Sequence, residues 1–112
     1  MTVSLPKTVR RDTIEYLEAI VVSASPGADV AATSLVGSDV RIGIGTTGDD
    51  TPSWLNADWV GTPTTTGLAR TSSVVDFSTG NYPGRDWNVY IELTIGGETV
   101  IDYAYQLKIE EF

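Results

Sequence analysis

The chain of 112 residues contains neither cysteine nor histidine. Without cysteine there is no disulfide and no thiolate nucleophile; without histidine the commonest general base and metal ligand are missing. The fold must be held by packing and backbone pairing. A catalytic site would have to be assembled from Ser, Lys, Asp or Glu alone, so the expectation is a protein that is not an enzyme, with no catalytic residue, cofactor or metal. Basic residues are also scarce: seven Lys and Arg stand against fifteen Asp and Glu, for a net charge of −8. Phosphate backbones are bound by basic surface, which argues against nucleic acid as a partner. No apolar run approaches the ~20 residues that span a bilayer, and the opening "MTVSLPKTVRRD" lacks a signal-peptide core. A soluble product made in a cytoplasm, without a membrane partner, is expected.

This length fits one domain and allows a real core. Charge is unevenly placed. Lys7, Arg10 and Arg11 fall in the first eleven residues, where there is no acid, and the other basic residues share the chain with all the carboxylates. The division read from this is an extended basic N-terminal arm over 1–11 and a single β-sandwich domain over 12–112. Such an arm can dock a neighbouring acidic surface, another copy of the chain included, or simply be a solvated terminus. Lys7, Arg10 and Arg11 are therefore candidate partner-binding residues.

The clearest pattern is in "WNVYIELTIGGETVIDYAYQLKIEEF". Trp87, Val89, Ile91, Leu93 and Ile95 alternate with polar residues or Tyr90. Beyond Gly96-Gly97 the alternation resumes with Ile101, Tyr103, Tyr105, Leu107 and Ile109. Period two places each set on one face of a strand, and a Gly-Gly turn between two such runs makes an antiparallel hairpin. Trp87, leading the first strand, is expected in the core.

"DTIEYLEAIVVSA" (12–24) mixes strand and helix formers. Its central β-branched run and the shared parity of Ile14, Tyr16, Ile20 and Val22 favour a strand, with Glu18 as a fault on the apolar face. Residues 38–45 predict a strand with Val40, Ile42 and Ile44 on one side. Residues 46–69 read as mostly irregular, 70–77 as a short strand and 78–86 as turns. Short strands between turn signals and no long helix predict an all-β fold: an antiparallel immunoglobulin-like β-sandwich with a C-terminal β-hairpin. The cysteine–tryptophan–cysteine signature of antibody domains is absent, so the expectation concerns architecture only.

Three features invite a chemical reading. Gly43, Gly45 and Gly48 have the G-x-G-x-x-G spacing of a dinucleotide loop, but no helix follows, and Asp49 and Asp50 would repel a pyrophosphate. An ordinary glycine-rich strand end is the better reading. Asp49, Asp50 and Asp58 are hard oxygen ligands, yet they lack the spacing of a calcium loop and read as solvated. Trp54 and Trp59 fall in the irregular stretch, where their rings either cover an open end of the sandwich or contact a partner. Both join the candidate partner-binding residues. Paired carboxylates with tryptophan platforms also suit glycoside chemistry, but a small sandwich seldom supplies the deep cleft that chemistry needs.

The order of "RRDTIEY", "SDVRIGIG", a loop with two tryptophans and "GNYPGRDWNVYIELTIGGETVIDYAYQLKIE" resembles the small immunoglobulin-like virion proteins of tailed bacteriophages, including the N-terminal domain of siphophage baseplate upper proteins. The likeness is carried by residues 80–110: Gly80 and Tyr82 at the entry, the strand from Trp87 to Ile95, the Gly turn, and the closing strand to Glu110. It brings no catalytic motif. It implies a virion protein, either a capsid decoration or cement protein or a head–tail or tail accessory. Its partners would be the major capsid, portal, connector or tail proteins and copies of itself. The alternative is a carbohydrate- or host-surface-binding module that uses Trp54 and Trp59.

Overall fold

The computed structural model describes residues 7–23, 34–46 and 52–110. It is all β, with no helix among the described residues. Among the described residues nine strands follow in chain order: β1 (Lys7–Arg10), β2 (Ile14–Glu15), β3 (Glu18–Val22), β4 (Asp39–Thr46), β5 (Ser53–Trp59), β6 (Thr66–Thr71), β7 (Val75–Asp76), β8 (Asp86–Ile95) and β9 (Glu98–Glu110). Seven form one sheet in the order β1-β9-β8-β4-β5-β6-β3, while β2 and β7 pair separately. The sheet is mixed. β1 runs parallel to β9, with Lys7 opposite Leu107 and Arg10 opposite Glu110, and the other neighbours are antiparallel. The wholly antiparallel arrangement expected from the sequence therefore fails at β1.

β5 is the corner of the fold. Ser53 to Asn56 pair with β4, whereas Ala57 to Trp59 pair with β6. The sheet thereby curls, and both halves turn their apolar faces to one core. Val40, Ile42 and Ile44 of β4 and Val89, Ile91 and Leu93 of β8 are buried there with Leu17, Ala19 and Val21 from the β3 side. The Tyr105 hydroxyl crosses the core to donate to the Glu18 carbonyl at 2.9 Å, so β9 and β3 face each other.

The C-terminal hairpin forms as the alternation requires, turning at Gly96 and Gly97, both with positive φ. Trp87 is in the core, as its place in the pattern predicts. One part of the pattern fails. Val89 faces Tyr105 but Tyr90 faces Tyr103, leaving Ala104 as an extra residue in β9. A bulge reverses the facing of everything before it. Tyr105, Leu107 and Ile109 are therefore buried, while Tyr103 and Ile101 are exposed.

The segment 12–24 also differs from its expected form. It is broken into β2 and β3, with Asp12 at φ 67° just ahead of them. The buried parity is Leu17, Ala19 and Val21; Ile14, Tyr16 and Ile20 are exposed. Glu18 explains the choice, because its set is the one that can face water. There it pairs with Arg70 at 3.0 Å.

Within 46–69, expected to be irregular, lie β5 and the start of β6. The short strand expected at 70–77 is divided between the end of β6 and β7, and 78–86 is turn as read up to the start of β8. No helix among the described residues is long and apolar enough to cross a membrane.

Candidate functional site

The two tryptophans expected in a loop stand instead on β5, and both are half-buried. Trp54 faces Gly43 across the β4–β5 pair. Its ring lies so close that a β-carbon on Gly43 would be 2.8 Å from Cε3, and the Arg41 guanidinium sits 5.3 Å from the ring centroid. Pro52 covers Gly45 in the same way, 3.3 Å from where a β-carbon would stand. Gly43 and Gly45 are thus strand residues whose missing side chains admit neighbours, a use of glycine next to aromatics familiar in sheets. Gly48, Asp49 and Asp50 lie outside the described residues.

Trp59 repeats the arrangement on the other half of β5. Its ring rests on Gly67, where a β-carbon would be 2.7 Å from Cε3, and its Nε1 donates to the Ser38 carbonyl at 3.0 Å. The ring also packs against the core. Covering the apolar core is what Trp59 does in this structure. Asp58 accepts a hydrogen bond from the Ser72 hydroxyl at 2.7 Å.

The basic N-terminal residues have distinct positions. Lys7 and Arg10 belong to β1 and so to the sheet, while residues 1–6 of the expected arm lie outside the described residues. Lys7 Nζ lies 2.7 Å from the Glu15 carboxylate. Arg11 is buried, and its guanidinium donates to the carbonyls of Phe77 at 3.1 Å, Tyr82 at 2.7 Å and Gly84 at 2.7 Å. It clamps the 77–84 turn to the end of β1. A fork of fixed N–H donors suits three carbonyls at once, which a lysine ammonium would not span. Arg11 accordingly works inside the fold; only Lys7 and Arg10 retain surface positions.

Two other features went unread in the sequence. The first is an outward row across the sheet, where Trp54 faces Gly43, Gly43 faces Tyr90 and Tyr90 faces Tyr103. The tyrosine rings meet edge to face at 5.9 Å. Beside them Arg41 binds Glu92 through two 2.7 Å contacts. Each partner holds the other ionised: Glu92 lies below and Arg41 above its ordinary pKa, chiefly through this hydrogen bonding.

The second is a groove of about 680 Å³ beside the first half of β5, bordered by the 71–76 segment and the 80–82 turn. It exists because β5 pairs with β6 only from Ala57 onward. Leu55, Val75 and Tyr82 supply apolar surface; Asn56, Ser73 and Asn81 supply polar groups. Burial pushes the Tyr82 phenol above its ordinary pKa, so it stays a neutral hydroxyl at neutral pH. Periodicity does not reveal either feature, since both depend on which strands become neighbours.

No family model matches the chain, and no curated protein matches it.

Proposed function

We propose that the protein is a non-enzymatic structural subunit of a tailed-phage particle, built as an immunoglobulin-like sandwich and acting through protein–protein contacts. Its place would be on the capsid as a decoration or cement protein, or at the head–tail junction as an accessory. The observation that carries this reading is the far half of the β8–β9 hairpin. Beyond the Ala104 bulge, Ile101 and Tyr103 share the outward face and are 56% and 49% exposed. Grouped apolar residues on a soluble surface mark contact sites more often than scattered ones do. The phage resemblance, carried by this same hairpin, names the class of partner: capsid, portal, connector or tail proteins.

The glycan-binding alternative, in the form that uses Trp54 and Trp59 as open platforms, is weaker. Each ring already has one face against a glycine, and Trp59 has its N–H bonded to Ser38.

The test is incorporation of variant chains into assembled particles, scored by mass spectrometry. Ile101→Glu with Tyr103→Glu should lower incorporation at least tenfold while the purified protein keeps its thermal midpoint. Lys7→Glu with Arg10→Glu tests the basic segment without disturbing Arg11. Undiminished incorporation of the hairpin variant overturns the contact assigned here, and absence of the wild-type chain from particles overturns the reading itself.

A further inference from the structure

We propose that the groove beside β5 is a binding site for a neutral pyranose sugar. This inference is independent of the particle reading and goes beyond it.

The groove is a product of topology. Ser53 to Asn56 pair only with β4, so their other edge opens towards the 71–76 segment. The Asn56 carbonyl on that edge accepts from the Ser72 N–H at 2.9 Å. By the two-residue period, the Trp54 peptide group faces the same way. The groove is therefore edged by backbone polar groups as well as side chains, and its volume of about 680 Å³ lies within the range of small-molecule sites.

Its lining selects the ligand. Among the described residues no Lys or Arg lines it, so nothing there neutralises a phosphate, sulfate or carboxylate. Asn56 and Asn81 each offer a carbonyl and an amide, which match adjacent sugar hydroxyls that both donate and accept. Ser73 and the Tyr82 hydroxyl add two more groups of the same dual character. Asp76 has one carboxylate oxygen accepting from the Ser78 N–H at 3.0 Å, which fixes its orientation at the groove wall. Leu55, Val75 and the Tyr82 ring meet the apolar C–H face of a pyranose.

The site is also held in shape. Tyr82 packs edge to face with Trp87 at 5.4 Å and against Phe77 at 5.6 Å. Its N–H and that of Asn81 both donate to the Ser78 carbonyl, and its own carbonyl accepts from buried Arg11. A ligand need not order this turn before binding, which reduces the entropic cost.

The experiment is an amide-resolved NMR titration of the intact protein with glucose, galactose, mannose and N-acetylglucosamine. At least one should produce saturable shifts at Asn56, Ser73 and Asn81. Asn56→Ala and Asn81→Ala should each weaken that sugar tenfold or more with the thermal midpoint unchanged. Tyr103→Ala, outside the groove lining, should leave binding intact. Failure of all four sugars to give saturable shifts overturns the proposal. So does binding that both asparagine variants retain, or an equal response to inorganic phosphate. Particle incorporation of Asn81→Ala should stay at the wild-type level, which separates this test from that of the structural role.

Discussion

The ring of Trp59 rests on Gly67 while its indole nitrogen holds the Ser38 carbonyl at 3.0 Å, so the ring is fixed at both ends. The ring of Trp54 rests on Gly43 in the same manner. Its polar edge has no such bond among those the structure shows, and its neighbour on the outer face is the side chain of Arg41.

That difference sets the cost of adding one carbon. Gly67→Ala drives a β-carbon into a ring that cannot move and into Pro63, 3.0 Å away. Overpacking of this kind costs about 2 kcal/mol or more. Gly43→Ala meets Pro52 at 3.2 Å and a ring without that second anchor, and loss of unfolded-state freedom returns about half a kcal/mol. Its net cost should stay below ~1 kcal/mol. Thermal unfolding of the two variants checks the order; equal midpoints would contradict it.

Arg11 should be among the most sensitive positions. Arg11→Met removes three charge-assisted hydrogen bonds and strands the carbonyls of Phe77, Tyr82 and Gly84. The expected loss is about 3 kcal/mol or more. Arg11→Lys should recover less than half of it, because one ammonium cannot reproduce the fork. Urea denaturation of the three proteins measures both quantities.

Tyr105 makes the fold sensitive to alkali. Burial first, then the nearby carboxylates of Glu18 and Glu15, holds its phenol well above the ordinary 10.0. The unfolded chain ionises at that ordinary value while the folded chain keeps its proton. The resulting stability is complete below about pH 10 and falls as pH rises beyond it. Tyr105→Phe should flatten this alkaline slope, at a cost of about 1 kcal/mol at neutral pH for the lost bond to Glu18. Phenolate absorbance should show Tyr105 ionising last of the five tyrosines.

At acid pH the informative group is Glu92. Its carboxylate is held below the ordinary 4.5, first by the hydrogen bond from Arg41. Its contribution is present above that ordinary value and disappears as pH falls through the lowered one. Carboxyl-carbon NMR should place its midpoint below that of exposed glutamates, and Arg41→Ala should return it to the normal range. Because the pair is at the surface, added salt should move the midpoint the same way.

How much of this could be read beforehand depended on whether the controlling partner was local. The β8–β9 hairpin was legible because Gly96-Gly97 and the flanking alternation are adjacent in sequence. Val40, Ile42 and Ile44 were legible for the same reason. Ile101 and Tyr103 were misplaced because nothing in "IDYAYQ" marks Ala104 as the bulged residue. β5 was missed because Pro52 and Pro63 bracket it and Asn56 and Asp58 dilute its apolar character. The face of β3 turned on Glu18, whose charge outweighs the aliphatic side chains beside it. The groove was the least legible feature, since it arises from a change of partner midway along β5.

The parallel pairing of β1 with β9 has a consequence for biosynthesis. Lys7 to Arg10 are made about a hundred residues before their partners, Leu107 to Glu110. Until those residues leave the ribosome, β1 has no ladder to join, and Arg11 also waits for the carbonyls of the 77–84 turn. The nascent chain must therefore carry its basic segment unpaired until those residues emerge. A cell would meet this protein first with that segment open to any acidic neighbour, and only afterwards as the closed sheet.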